Sequence, residues 1–201
     1  MSHCPPIDRP AALLFDMDGT LTTPRLDFPK IKSDMGIGPG PILESLAMLT
    51  DSERARAEAI LHRHEETAAA KSELNEGCRE LLDLIQQADW PTALITRNSR
   101  RSVQTVLARH GLSFSVIVTR EDGRHKPHPD PLHRACLQLE VPAANTWMIG
   151  DGQYDVEAGL AAGARTVWIS HGRTAEFAAI PWKIVQKLPE LTTLLRQCLL
   201  R

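Results

Sequence analysis

The sequence predicts an α/β protein, a doubly wound parallel sheet with a small α-helical lid inserted after its first strand. Three observations predict it. A short apolar run, Ala11 to Phe15, ends in two carboxylates, Asp16 and Asp18, followed by Gly19. That is the layout of a buried strand delivering acids into a turn, where an open α/β sheet places its ligand site. From Glu76 onward, short apolar runs alternate with segments of helical period, as parallel strands joined by crossover helices do. Between these two regions, residues 23–75 shift in composition, first rich in prolines and glycines and then in helix formers. The expected organisation is a core built from residues 1–22 and 76–201, with residues 23–75 as the lid.

The whole chain fits this plan. Its 201 residues suffice for one domain with an ordinary core and a small insertion, and 42% hydrophobic and 24% charged residues are average for a globular protein. A net charge of −2 supplies no basic field for nucleic acid or acidic membranes. Cys4, Cys78, Cys136 and Cys198 are scattered and form no Cys-x-x-Cys pair, which suits reduced thiols better than a disulfide framework or a zinc cage. The opening M-S-H-C-P-P-I-D-R-P lacks the basic and then apolar layout of a secretion signal. No apolar run approaches the ~20 residues needed to cross a bilayer. The expectation is a soluble cytoplasmic protein, monomer or homodimer, with no nucleic-acid or membrane partner.

Taken in order, the first strand, Ala11 to Phe15, is followed by P-R-L-D-F-P-K-I-K, a polar connection whose prolines disfavour a continuous helix. G-I-G-P-G-P is a second breaker cluster. Ile42, Leu43, Leu46 and Leu49 then recur at helical spacing. Thr50 and Glu53 fit a capping box, opening a helix to about Ser72 with Ala57, Ile60, Leu61, His64 and Ala68 on one stripe.

Beyond Glu76, Cys78, Leu81, Leu82 and Ile85 mark a helix, Thr92 to Ile95 a strand, and Ser99 to His110 a helix closed by Gly111. Phe114 to Val118 is the next strand. Asp130 should cap a helix with Pro131 in its first turn. Trp147 to Ile149 and Arg165 to Ile169 read as strands around a helix from Asp155 to Ala162. A short edge strand and a final helix using Leu191, Leu194, Leu195 and Cys198 complete the chain.

Chemistry gathers at the predicted strand ends. Paired carboxylates at Asp16 and Asp18 suit a hard cation such as Mg²⁺, and one of them could attack phosphorus; an ordinary acidic turn would share this pattern. Thr96 ends the strand T-A-L-I, and its hydroxyl with the following backbone at Arg97 and Asn98 could grip a phosphate oxygen. A helix-capping threonine would look the same. Lys126, in H-K-P-H-P-D-P-L, offers the fixed cation needed to bring a carboxylate against a phosphate dianion. Asp151 follows the run W-M-I-G directly, and Asp155 comes four residues later; capping aspartates would share that spacing.

Together these segments resemble, in order, the four motifs of the haloacid dehalogenase-like (HAD) hydrolases. Asp16-Met17-Asp18-Gly19-Thr20-Leu21-Thr22 is similar to the nucleophile motif, Thr96 to the second, Lys-Pro-x-Pro at Lys126 to the third, and Gly150-Asp151 with Asp155 to the fourth. The resemblance implies a Rossmann-like core with a small helical cap, and Mg²⁺-dependent hydrolysis of a small phosphorylated metabolite through an aspartyl-phosphate. It assigns attack to Asp16, proton transfer to Asp18, and the phosphate oxygens to Thr96, Arg97, Asn98 and Lys126. Metal would be held by Asp16, the Asp18 carbonyl and Asp151, with Asp155 binding a metal-bound water or orienting Lys126. Dehalogenases and phosphonatases of the family lack an acid at the Asp18 position, so its presence implies a phosphatase or a sugar phosphomutase. No dedicated basic cluster for a mutase stands out, although the lid carries Arg25, Lys30, Lys32 and Arg56. A non-catalytic phosphate-ligand binding protein on this fold is the remaining alternative. His62, His64, His125, His128 and His133 show no zinc spacing.

Overall fold

The computed structural model describes residues 9–200; Cys4 and the opening segment lie outside the described residues. In chain order the elements begin with β1 (Ala12–Phe15), α1 (Phe28–Met35), α2 (Ile42–Ala47), α3 (Asp51–Ala70) and α4 (Cys78–Gln87). There follow β2 (Thr92–Ile95), α5 (Arg100–His110), β3 (Val116–Val118), α6 (Asp130–Gln138) and β4 (Thr146–Gly150). The last are α7 (Gln153–Ala161), β5 (Arg165–Ile169), β6 (Lys183–Val185) and α8 (Leu188–Leu199). The chain divides into two compact units, Met1–Thr23 with Glu73–Arg97 and Ser113–Arg201, and Pro24–Ser72 with Asn98–Leu112.

The first unit is the predicted α/β layer structure. Its six strands run in the order β3-β2-β1-β4-β5-β6, every neighbouring pair parallel. Strands β1, β2 and β4 are buried along their whole length, as befits central strands covered on both faces. Leu14, Ala93, Ile95, Val116, Val118 and Met148 face Leu132, Ala135 and Ala158 in one apolar cluster. Helix α7 packs close because Gly159 has no side chain: a Cβ there would strike Thr166 and crowd Met148. The strand order reverses beside β1, between β1 and β4, and the carboxyl ends of such strands open a crevice for ligands.

The second unit is helical, with Ile31, Ile42, Leu46, Ala57 and Leu61 as its core. The expected non-helical connection after the first strand is instead α1. Pro29 stands in its first turn, where a missing N–H is no loss. Asp27 accepts from the Lys30 N–H at 3.0 Å, and Gly36 closes the helix in the left-handed region. At the start of α3 Glu53 reaches back to the Thr50 N–H at 3.1 Å as read, while the Thr50 hydroxyl donates to the same carboxylate at 2.6 Å instead of accepting from the backbone. Its buried stripe runs Ala57, Leu61, Glu65, Ala69, a strict four-residue repeat that leaves Ile60, His64 and Ala68 half-buried at the margin. Helix α5 groups with α3, Arg101 pairing with Glu66 at 3.0 Å. Asp130 is the first residue of α6 rather than its cap; Pro129 takes the cap position, with no side-chain bond.

Candidate active site

The sheet register sets the site. Phe15 lies opposite both Leu94 and Ile149, and the Asp16 N–H donates to the Ile149 carbonyl at 2.9 Å. Asp16, Thr96 and Asp151 therefore leave β1, β2 and β4 at one edge of the sheet. Two glycines make room there. Gly19 has φ +81°, and a Cβ on it would come within 2.5 Å of the Asp151 carboxylate. A Cβ on Gly150 would collide with the Asp155 carboxyl.

Lys126 is the centre of this edge and is only 2% exposed. Its ammonium donates to Asp16 Oδ1 at 2.7 Å, to Asp155 Oδ1 at 2.6 Å and to the Ile95 carbonyl at 2.6 Å. A lysine has three N–H donors, so all are engaged. Asp155 also accepts from the Gly152 N–H through Oδ2 at 3.0 Å. Each Asp155 oxygen thus accepts one hydrogen bond, Oδ1 from Lys126 and Oδ2 from Gly152.

The charges do not balance. Oxygens of Asp16, Asp151 and Asp155 lie within 4.8 Å of one another around a single buried ammonium. Burial pushes the Asp16 carboxyl well above the usual range; Lys126 opposes this, while Asp155 and Asp151 add to it. Burial and then Asp155 likewise raise Asp151, against Arg173. For Lys126, burial alone would lower the ammonium, but Asp155 and Asp16 outweigh it and the net direction is upward. An all-oxygen donor set with uncompensated negative charge fits a hard divalent cation of the Mg²⁺ type.

The remaining predicted residues fall as follows. Asp18 is half-buried, and the Thr22 hydroxyl stands 3.3 Å from its Oδ1. Thr96 is buried, its N–H donating to the Val118 carbonyl at 3.0 Å. The Arg97 guanidinium donates to the Lys126 carbonyl and stacks on the Tyr154 ring, 4.5 Å from its centroid. These contacts brace the lysine loop. Asn98 is buried and belongs to the second unit.

Other participants had no motif to reveal them. The Asn75 amide donates to the carbonyls of Gly19, Thr20 and Thr22 at 3.2, 2.8 and 3.1 Å, fixing the turn that carries Asp18. His171 Nε2 donates to the Gly19 carbonyl at 2.6 Å, and Arg173 reaches Asp151 Oδ2 at 2.9 Å. The usable signal was positional: residues just past β5 share the edge where β1 and β4 end.

Comparison with known proteins shows the family and the fold. A family model described as haloacid dehalogenase-like hydrolase matches residues 26–169, a range that starts past the Asp16 turn and includes Thr96, Lys126, Asp151 and Asp155. The chain is 30% identical over 185 residues to the N-acetylmuramic acid 6-phosphate phosphatase of Pseudomonas aeruginosa, covering 80% of this chain and 82% of that protein. It is 27% identical over 209 residues to the pyrophosphatase PpaX of Bacillus cereus, covering 91% and 95%. The crystal structure of a hydrolase from Pseudomonas syringae superposes with a TM-score of 0.80 at 20% identity, covering 92% of this chain and 98% of that one.

Proposed function

The chain belongs to the haloacid dehalogenase-like hydrolase family, and from that premise we propose that it is a Mg²⁺-dependent phosphatase acting on a small phosphomonoester. The observation that carries the reading is the buried Lys126 ammonium bonded to both Asp16 and Asp155 at the strand-order reversal. An attacking carboxylate and a phosphate dianion repel each other, and a fixed buried cation beside the carboxylate offsets that repulsion. Named relatives that are phosphatases support the reaction class.

In this mechanism the Asp16 carboxylate attacks phosphorus in line. The P–O bond to the alcohol breaks as an aspartyl-phosphate forms, and Asp18 gives a proton to the departing oxygen. Asp18 then takes a proton from a water whose oxygen attacks phosphorus, releasing inorganic phosphate and restoring Asp16. The Thr96 hydroxyl and the backbone N–H groups after it hold the phosphoryl oxygens, and Lys126, its three donors held by Asp16, Asp155 and the Ile95 carbonyl, contributes its charge beside them. Asp16, Asp151 and the Asp18 carbonyl would hold Mg²⁺, whose positive charge would keep Asp16 ionised and offset that of the phosphate. Asp155 keeps Lys126 in place, and the inserted helices act as a lid that selects the ester.

The test is a phosphate-release assay over sugar phosphates, phosphoglycolate, nucleotides and pyrophosphate, with Mg²⁺ and with a chelator. Metal-dependent release from at least one ester is expected. Movement of phosphate within a sugar phosphate without release would identify a mutase, and binding without turnover a ligand-binding protein.

A further inference from the structure

The turn after β5 belongs to none of the motifs, yet two of its side chains close over the site edge. His171 has φ 51° and Gly172 φ 77°, two successive left-handed residues, a conformation that costs a non-glycine residue such as His171. The Ser170 hydroxyl accepts from the Gly172 N–H at 3.3 Å, and the Ser170 carbonyl accepts from the Arg173 N–H at 2.9 Å and from Arg173 Nε at 3.0 Å. Folded this way, the turn sends His171 to the Gly19 carbonyl and Arg173 to Asp151.

Arg173 does more than make a surface ion pair. Its Nη2 donates to both the main-chain carbonyl and the Oδ2 of Asp151, each at 2.9 Å. The indole of Trp168 donates to the same carbonyl at 2.9 Å. Spanning backbone and side chain of one residue fixes the rotation of that carboxyl, which a pair at the carboxylate alone would not. Arg173 is 53% exposed and Asp151 17%, so the guanidinium leaves solvent contact only in part to do this.

We propose that Arg173 is a positioning residue for cation binding: by holding Asp151 Oδ2 and the Asp151 carbonyl, it fixes the rotation of the carboxyl and leaves Oδ1 to the cation. This rests on the reading of Asp151 as a ligand of a divalent cation. Two effects of Arg173 compete, since its positive charge opposes a nearby cation while its hydrogen bonds orient the ligand. Loss of a group that orients a metal ligand typically weakens binding about 10–100-fold, and the two-point grip makes orientation the winning effect here.

The experiment titrates the purified protein with Mn²⁺, following free Mn²⁺ by electron paramagnetic resonance. Arg173→Ala should raise the Kd about 10-fold or more. Arg173→Lys, which can reach one oxygen but not span two, should fall between. Activity should follow the same order at limiting Mg²⁺ and recover at saturating Mg²⁺, a split that a merely structural role would not give. Thermal unfolding by circular dichroism should show both variants folded. Unchanged or tighter Mn²⁺ binding in Arg173→Ala would overturn the proposal alone, as would a turnover loss that saturating metal does not restore. Absence of Mn²⁺ binding in the unsubstituted protein would overturn the reading of the site itself, and this proposal with it.

Discussion

The Lys126 ammonium stands 2.7 Å from the Asp16 carboxylate, joining positions 110 residues apart. Replacing it with methionine fills similar volume but leaves Asp16 and Asp155 buried without a counter-charge. Breaking a buried pair from one side costs about 3–5 kcal/mol. Lys126→Met should therefore lose activity and fall in urea stability by that order at neutral pH. A variant as stable as the parent would show that the carboxylates are neutral in the folded protein.

Acid should relieve the metal-free protein. The Asp16 and Asp151 carboxyls are raised by burial, so the folded state binds more protons than the unfolded state between the ordinary value of about 4 and their raised values. Stability from these groups falls as pH rises through that window. Lys126 is also raised, and its contribution is fully present below about 10.4, outside the window. Added Mg²⁺ should accordingly raise the melting temperature more at pH 7 than at pH 4. Asp151→Asn should melt higher than the parent without metal at pH 7 and show little Mg²⁺ shift. Equal shifts at both pH values would place the ion elsewhere.

Gly150 is predicted to be intolerant of even one methyl group. Its Cβ would occupy the place of the Asp155 carboxyl, and overpacking costs about 1–3 kcal/mol. Gly150→Ala should displace Asp155, loosen Lys126 and cut turnover by more than its loss of stability accounts for, read by kinetics beside thermal melting. Gly36, at φ 69° with nothing within 4 Å of its virtual Cβ, is the control: Gly36→Ala should cost only backbone strain, about 1 kcal/mol, and no catalysis.

Much of this was legible in the sequence because central parallel strands are apolar runs ending abruptly. Ala11 to Phe15 and Thr92 to Ile95 could be seen as strands, and the acids beyond them placed on one edge. Helix α1 was not legible: Pro29 breaks a helix in its interior but not in its first turn, and only the Asp27 cap distinguishes the two. The grouping of α5 with α3 depends on packing between segments that leave no local pattern. Asn75, His171 and Arg173 act through backbone carbonyls and one carboxylate, contacts set by tertiary approach and not by spacing. Arg97 was legible only by position, because its stacking on Tyr154 joins the turn after β2 to the first turn of α7.

The central claim is attack by Asp16 with proton transfer by Asp18, and one rapid-mixing measurement tests it most directly. Asp18→Asn keeps the main-chain carbonyl and the shape but cannot shuttle a proton. p-Nitrophenolate departs without one, whereas hydrolysis of the aspartyl-phosphate still needs a base, worth about 10²–10⁴-fold. Mixed with saturating p-nitrophenyl phosphate and Mg²⁺, the variant should release about one nitrophenolate per site in a burst, then turn over slowly. Acid quenching after the burst should leave phosphate on the peptide that contains Asp16. Equal loss of burst and steady state with metal still bound, or phosphate on any other residue, would contradict the account.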